Sequence, residues 1–155
     1  MIRLRTATLQ DLADVLPRTR ALNAHEGIVI SDADLETALR RLLGDPSAGG
    51  VWLIEERGAG DAEAVPTTVG YAIVTFGYDL EFAGRDAWLT EIWIDESARG
   101  RGAASAALEL LDVELRGHGV RALHLQVRPE NPALRLYERA GFSRSPRLIL
   151  TRRLR

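Results

Sequence analysis

Residues 87–127, AWLTEIWIDESARGRGAASAALELLDVELRGHGVRALHLQV, decide the fold of this chain. Residues 87–95 are rich in β-branched and aromatic side chains and read as a long strand. The turn Arg99-Gly100-Arg101-Gly102-Ala103-Ala104 follows. Residues 101–116 then set Ala104, Leu108, Leu111 and Leu115 on one helical stripe, and Gly117-His118-Gly119 stops that helix. Residues 120–127 form the next strand. Strand, glycine turn, helix, strand is a parallel crossover unit, expected to be right-handed, and its glycine turn is the place to look for a ligand.

Upstream, residues 2–5 alternate like a short strand, and Thr8-Leu9-Gln10-Asp11 has a capping-box pattern with aspartate in place of glutamate. A first helix is expected to run to about Leu22, with Leu12, Val15 and Leu16 on its apolar face. Ser31-Asp32-Ala33-Asp34 opens a second helix carrying Leu35, Ala38, Leu39 and Leu42, and Gly44-Asp45-Pro46 ends it. Residues 51–55 read as a buried strand, residues 58–66 as a polar connection, and residues 68–78 as its antiparallel partner. Gly84-Arg85-Asp86 turns the chain into residues 87–95, so three strands meander. Downstream, Asn131-Pro132 reads as an N-cap and first helical residue, Gly141 closes that short helix, and residues 147–153 alternate as a last strand. The reading is a single α+β (mixed α/β) domain over residues 1–155, with a mostly antiparallel central sheet, one parallel crossover pair and about four flanking helices.

Composition narrows the chemistry. The 155 residues are 46% hydrophobic and 27% charged, as in an ordinary globular protein, and the apolar runs are far shorter than the roughly 20 residues of a membrane span. Met1-Ile2-Arg3-Leu4-Arg5 does not begin a signal peptide, so the expected location is cytoplasmic. Without cysteine, disulfides, thiolate metal sites and a cysteine nucleophile are excluded. All 20 basic residues are arginine, which excludes lysine Schiff bases and the P-loop lysine but offers planar, bidentate phosphate contacts. A net charge of -2 gives no general pull toward nucleic acid or anionic lipid. A phosphorylated small ligand fits better.

The glycines of the turn let the backbone approach a ligand, and the free amides and positive dipole end of the following helix suit phosphate oxygens. Glycines alone read equally as a tight strand-to-helix connection; Arg99 and Arg101 tilt the turn toward an anion. A Rossmann fingerprint lacks its third small residue, since Ser105 stands there, and the next strand ends in Gln126-Val127-Arg128 rather than an acid. The absence of lysine removes the P-loop. Coenzyme A, whose pyrophosphate needs neither Mg²⁺ nor lysine, is opposed by nothing in the sequence.

Three further groups draw attention. Tyr137 has a phenol of pKa ~10, able to give a proton to a leaving group held within hydrogen-bond range; the alternative is a ring packed on the sheet with its hydroxyl bonded to backbone or water. Glu91 is an acid inside an apolar strand, able to orient a cation or accept a proton; the alternative is a glutamate on a solvent face. Asp79, Glu81 and Asp86 lie in or near the turn over residues 77–86, as a rim of an acceptor entrance or as a solvated loop. None of the histidines has metal-ligand spacing, so no metal is expected: His118 and His124 read as surface or satisfied positions.

The order of elements, the Arg99-x-x-Gly102-x-Ala104 turn and the later segment with Tyr137 and Gly141-Phe142 resemble the GNAT superfamily of acetyl-CoA-dependent N-acetyltransferases. The resemblance covers essentially the whole chain and is strengthened by Leu136-Tyr137-Glu138-Arg139-Ala140-Gly141-Phe142, similar to the family's late tyrosine helix. It implies acetyl-CoA as cofactor, with the pyrophosphate on Arg99, Gly100, Arg101, Gly102, Ala103 and Ala104. It also implies that the strand end at Ile92, Trp93 and Ile94 splays from its parallel neighbour, so that free backbone groups hold the pantetheine arm. Asn131 stands one residue nearer the tyrosine than is usual in the family; it is a cofactor contact or only a helix cap. His25 and Glu26, after the first helix, are acceptor-pocket candidates. The implied activity is metal-free transfer of an acetyl group to a primary amine of a small molecule or peptide, with Glu91 and Tyr137 catalytic. The rival is an acyl-CoA-binding sensor without transferase chemistry. No nucleic-acid or membrane partner is expected, and the oligomeric state is open, a homodimer being one option.

Overall fold

The helices begin and end where their capping chemistry places them. In the computed structural model, which describes residues 1–58 and 65–154, helices run over α1 (Leu12–Glu26), α2 (Asp32–Gly44), α3 (Ala103–Gly117) and α4 (Leu134–Arg139). The expected capping box is present: the Gln10 amide donates to Thr8 Oγ1 at 3.3 Å and the Thr8 amide donates to Asp11 Oδ2 at 2.8 Å, closing a short 3-10 turn from which α1 continues. Ser31 Oγ accepts from the Asp34 amide at 3.1 Å and caps α2. Helix α1 reaches Glu26 rather than Leu22 and stops at Gly27, whose φ of 68° is left-handed. His25 and Glu26 therefore belong to its last turn instead of following it.

Among the described residues, five strands form one sheet in the order β1-β2-β3-β4-β5: β1 (Ile2–Thr6), β2 (Gly49–Glu56), β3 (Thr67–Asp79), β4 (Gly84–Ile94) and β5 (Val120–Leu125). Only β4 and β5 are parallel; every other pair is antiparallel. The α+β class and the single parallel crossover pair are as expected. Most of the anticipated polar connection over residues 58–66 lies outside the described residues. The expected last strand does not form. Residues 147–153 have no ladder partner and are exposed, and Arg147 Nη1 instead donates to Glu81 Oε2 beside the β3–β4 turn.

Helices cover both faces of the sheet. Helices α1 and α2 pack on Val51, Leu53, Tyr71 and Ile73, with Trp93 at the margin, while α3 packs on Trp52, Ala72, Val74, Ala87 and Leu89. Fully burying such side chains contributes about 1.5–3 kcal/mol each, so this packing, rather than helix propensity, holds the layers. No described helix is long and apolar enough to cross a membrane.

One buried acid ties the outer strands together. Glu55 of β2 is 5% exposed, and Arg3 Nε and Arg5 Nε of β1 donate to its two carboxyl oxygens at 2.7 Å each. Burial pushes its pKa up, but the hydrogen bonds from Arg5 and Arg3 outweigh burial and leave it below the usual range. Its contribution is thus complete above the unfolded carboxylate range, about pH 4.3, and is lost as pH falls below it. Glu55→Ala is expected to lower stability at pH 7 by about 1–3 kcal/mol. Urea unfolding at pH 7 and pH 3.5 should show the variant losing less stability on acidification than the parent; equal losses would contradict this assignment.

Candidate active site

Strict alternation would put Leu89, Glu91 and Trp93 on one face of β4. The register prevents it: Val74 pairs with Leu89 but Ile73 pairs with Glu91, so Thr90 is an extra residue in β4, a β-bulge. Leu89 stays on the α3 face, whereas Trp93 joins the α1 side with Tyr71 and Ile73. Glu91, across from Ile73, follows onto that covered face. It is half-buried, and the solvent-face reading of Glu91 does not hold.

The same residue opens the sheet. Pairing between β4 and β5 ends at Leu89 and Leu125, while β4 continues to Ile94 against β3 alone. A cavity of about 580 Å³ occupies the gap. Glu91 and Ile92 line it from β4, Glu26 from α1, Arg128 and Asn131 from the chain after β5, and Tyr137 from α4. The structure thus gathers Glu91, Ile92, Asn131, Tyr137 and Glu26 around one space. His25 stands beside it, edge-on to Trp93 with ring centroids 6.0 Å apart.

Burial pushes the Glu91 carboxyl up from its ordinary range, and a hydrogen bond from Tyr71 pulls the other way. That bond runs from the Tyr71 hydroxyl to Glu91 Oε2 at 2.5 Å. The Tyr71 phenol is itself driven far upward, by burial first and by the Glu91 charge second. Tyr137 is also raised, by burial and then by Glu26, and its ring meets Phe142 edge-on at 6.0 Å. Sequence reasoning missed Tyr71: a tyrosine in an apolar strand reads as core, and only the cross-strand geometry brings its hydroxyl to Glu91.

At the glycine turn, Gly100 (φ 74°) and Gly102 (φ 82°) are left-handed, and a Cβ on either would meet no atom within 4 Å. Backbone conformation, not crowding by the protein, requires glycine there, and the space over the turn is open. The first bond within α3 runs from the Ala106 amide to the Gly102 carbonyl at 3.0 Å, so the amides of Ala103, Ala104 and Ser105 precede the helix ladder. The arginines are committed elsewhere. Arg99 Nε donates to the Ile94 carbonyl at 2.9 Å with its guanidinium 4.5 Å from the Trp93 ring centroid, and Arg101 Nη2 donates to Glu56 at 3.0 Å. The backbone amides and the dipole of α3 face the open space over the turn, an arrangement that suits an anion.

Other expectations are corrected by position. Asn131 Oδ1 accepts from the Ala133 amide at 2.9 Å, closing a turn before α4; the helix begins at Leu134 with Ala133 at its N-cap. Asp86 is a buried residue of β4, 3.6 Å from His124 Nε2, and not part of a rim. Glu81 is taken by Arg147, and Asp79 accepts from the Glu81 amide at 2.8 Å. His118 packs against Phe76 at 5.7 Å. Among the described residues no group of three or more His, Asp or Glu side chains is placed to hold a metal ion.

Solved structures of the same architecture exist. An integron cassette protein from the mobile metagenome of Cole Harbour Salt Marsh is 28% identical, with a TM-score of 0.81 over 98% of this chain and 90% of its own. A ribosomal-protein-alanine N-acetyltransferase from Brucella melitensis biovar Abortus 2308 is 17% identical, with a TM-score of 0.75 over 99% of both chains. The aminoglycoside N-acetyltransferase AAC(6')-Iy in complex with CoA is 17% identical, with a TM-score of 0.76 over 99% of this chain and 95% of its own. At 17% identity the last two speak to the fold. The sequence profile of the acetyltransferase (GNAT) family matches residues 18–142, most of the chain, and on that match the protein belongs to this family.

Proposed function

We propose that this protein transfers an acetyl group from acetyl-CoA to a primary amine by direct attack. The observation that carries the reading is the meeting of Glu91 and Tyr137, an acid raised by burial and a protonated phenol, on one cavity where β4 and β5 part. Both neighbours above whose names include N-acetyltransferase share this fold.

The residues present fit acetyl-CoA. The open space over Gly100 and Gly102 and the leading amides of α3 suit its pyrophosphate, and the edge of β4 at Ile92, Trp93 and Ile94, beyond the last β5 pairing, suits the pantetheine arm. Bound there, acetyl-CoA supplies an activated thioester carbonyl. Glu91 takes the proton that the ammonium must lose before it is nucleophilic, directly or through a water, and its raised pKa suits that exchange. Tyr137 gives a proton to the departing thiolate. Its upward shift keeps it in the donating form throughout an ordinary assay range. Asn131 contributes the turn that presents α4.

Acetyl-CoA at about 100 times its Kd is expected to stabilise the protein by about 2.7 kcal/mol, without added divalent metal. Gly102→Val should abolish the shift, since its side chain fills the open space and strains a left-handed residue. A folded variant with an unchanged thermal shift would remove this site.

Thiol release with a panel of amines tests the chemistry, because a domain that only binds acetyl-CoA releases none. Glu91→Gln should slow turnover most near pH 7, where an amine of pKa ~10 is mostly protonated, and recover partly at high pH. A wild-type rate and profile would remove Glu91 from the mechanism. Tyr137→Phe should keep acetyl-CoA affinity and lower the single-turnover rate about 10²-fold. A rate within about threefold of wild type would leave Tyr137 as a packing residue.

A further inference from the structure

The acids packed against the sheet differ in their partners; buried Asp86 stands 3.6 Å from His124 Nε2, and several others meet arginine. Glu55 is held by Arg3 and Arg5, Asp95 by Arg18 with Nη2 at 2.7 Å, and Asp11 by Arg5 at 2.8 Å. Each is an anion fixed by a permanent cation. Among the described residues, Glu91 has no such cation. Its hydrogen bond comes from the neutral hydroxyl of Tyr71, on a ring with 0% exposure inside the α1 and α2 layer.

The position of that tyrosine follows from the bulge. Tyr71 lies across from Trp93 and Ile73 across from Glu91, so the extra residue at Thr90 brings the Glu91 carboxyl diagonally beside the Tyr71 ring. The ring cannot turn away, because it is enclosed by the apolar core. One carboxyl oxygen, Oε2, is occupied, and among the described residues no protein donor reaches Oε1.

We infer that Tyr71 is a positioning residue for acetyl transfer: its hydroxyl, donated to Oε2 of Glu91, fixes the carboxylate so that Oε1 takes the proton of the acceptor amine. This rests on the reading of Glu91 as the base. An arginine in the place of Tyr71 would favour the anion strongly and hold its proton affinity too low for the task. An apolar residue would leave a half-buried carboxylate without a donor, favouring its neutral form. A neutral phenol lies between: it orients the carboxylate, favours ionisation modestly and itself keeps its proton. The other titratable or charged groups facing the cavity are Glu26 of α1, Tyr137 of α4 and Arg128 after β5. Helix α2 sends Leu35, Leu39, Leu42 and Leu43 into this layer, and its Asp32 meets Arg20 of α1 at 3.0 Å. None of these hydrogen-bonds to the Glu91 carboxyl.

The test is the pH dependence of kcat/KM for the amine, measured for wild type, Tyr71→Phe, Glu91→Gln and the double variant at saturating acetyl-CoA. Tyr71→Phe should move the acid limb upward by about one pH unit, a loss of roughly tenfold on that limb, and converge on wild type at high pH. Acetyl-CoA binding, read by the thermal shift, should be unchanged. The double variant should be no slower than Glu91→Gln, because the hydroxyl acts through the carboxylate. If Glu91→Gln keeps the wild-type profile, the base assignment fails and Tyr71 falls with it. If Glu91→Gln alters the limb while Tyr71→Phe leaves it at the wild-type pH, only the role of Tyr71 is overturned. Should Tyr71→Phe not fold, 3,5-difluorotyrosine incorporated at position 71, nearly isosteric and a stronger donor, should move the limb downward. An unmoved limb in that protein would equally refute the proposal.

Discussion

A single extra residue in β4 governs the working part of this molecule. With Thr90 inserted opposite the Ile73–Val74 step, the strand changes the face to which its side chains point. Leu89 remains in the α3 core, while Trp93 and Glu91 pass to the side of Tyr71. Parallel pairing with β5 ends at the same place, leaving the far end of β4 without a strand beside it. Cavity, half-buried acid and its hydrogen-bond donor are consequences of one local irregularity. Were Thr90 paired with Ile73 in a regular ladder, Glu91 would instead face Ala72 on the α3 side, away from Tyr71.

The partners of the acids divide the protein into a frame and a site. Where strands and helices are joined, arginines hold the carboxylates: Glu55 between Arg3 and Arg5, and Asp95 and Asp14 around Arg18. Arginine suits this because it stays charged at every accessible pH and donates along two directions at once. At the cavity, among the described residues, no arginine meets Glu91: the Tyr71 hydroxyl donates to it and Tyr137 lines the same space. Burial then shifts all three groups upward, which holds both phenols protonated and keeps the carboxyl able to accept a proton. At the glycine turn the arginines also brace strands, Arg99 on the Ile94 carbonyl of β4 and Arg101 on Glu56 of β2.

Much of this was readable before any coordinates. The crossover unit, the caps at Thr8 and Ser31, the glycine turn and the antiparallel meander rest on interactions between residues close in sequence, and each formed as expected. Glu91 is conspicuous in one dimension as an acid within an apolar strand, and Tyr137 through the resemblance of its segment to the family's late tyrosine helix. Expectations failed where a distant partner decides. Residues 147–153 alternate as a strand does, yet alternation supplies no neighbour for a ladder, and Arg147 is bonded to Glu81 instead. Asn131 reads as a helix cap, yet α4 begins at Leu134 with Ala133 at its N-cap.

The sequence by itself determined the order of elements, the parallel pair and the chemistry available: no thiol, no lysine, one glycine turn ahead of a helix. These follow from periodicity and composition, which act over a few residues. Tertiary structure alone decided which face Glu91 occupies, which group touches it and where the sheet opens. Those depend on the register between β3 and β4, set by the pairing of whole strands some 20 residues apart, and a shift of one residue reverses them. No local pattern around Thr90 announces the bulge, because its cause lies in the strand across from it.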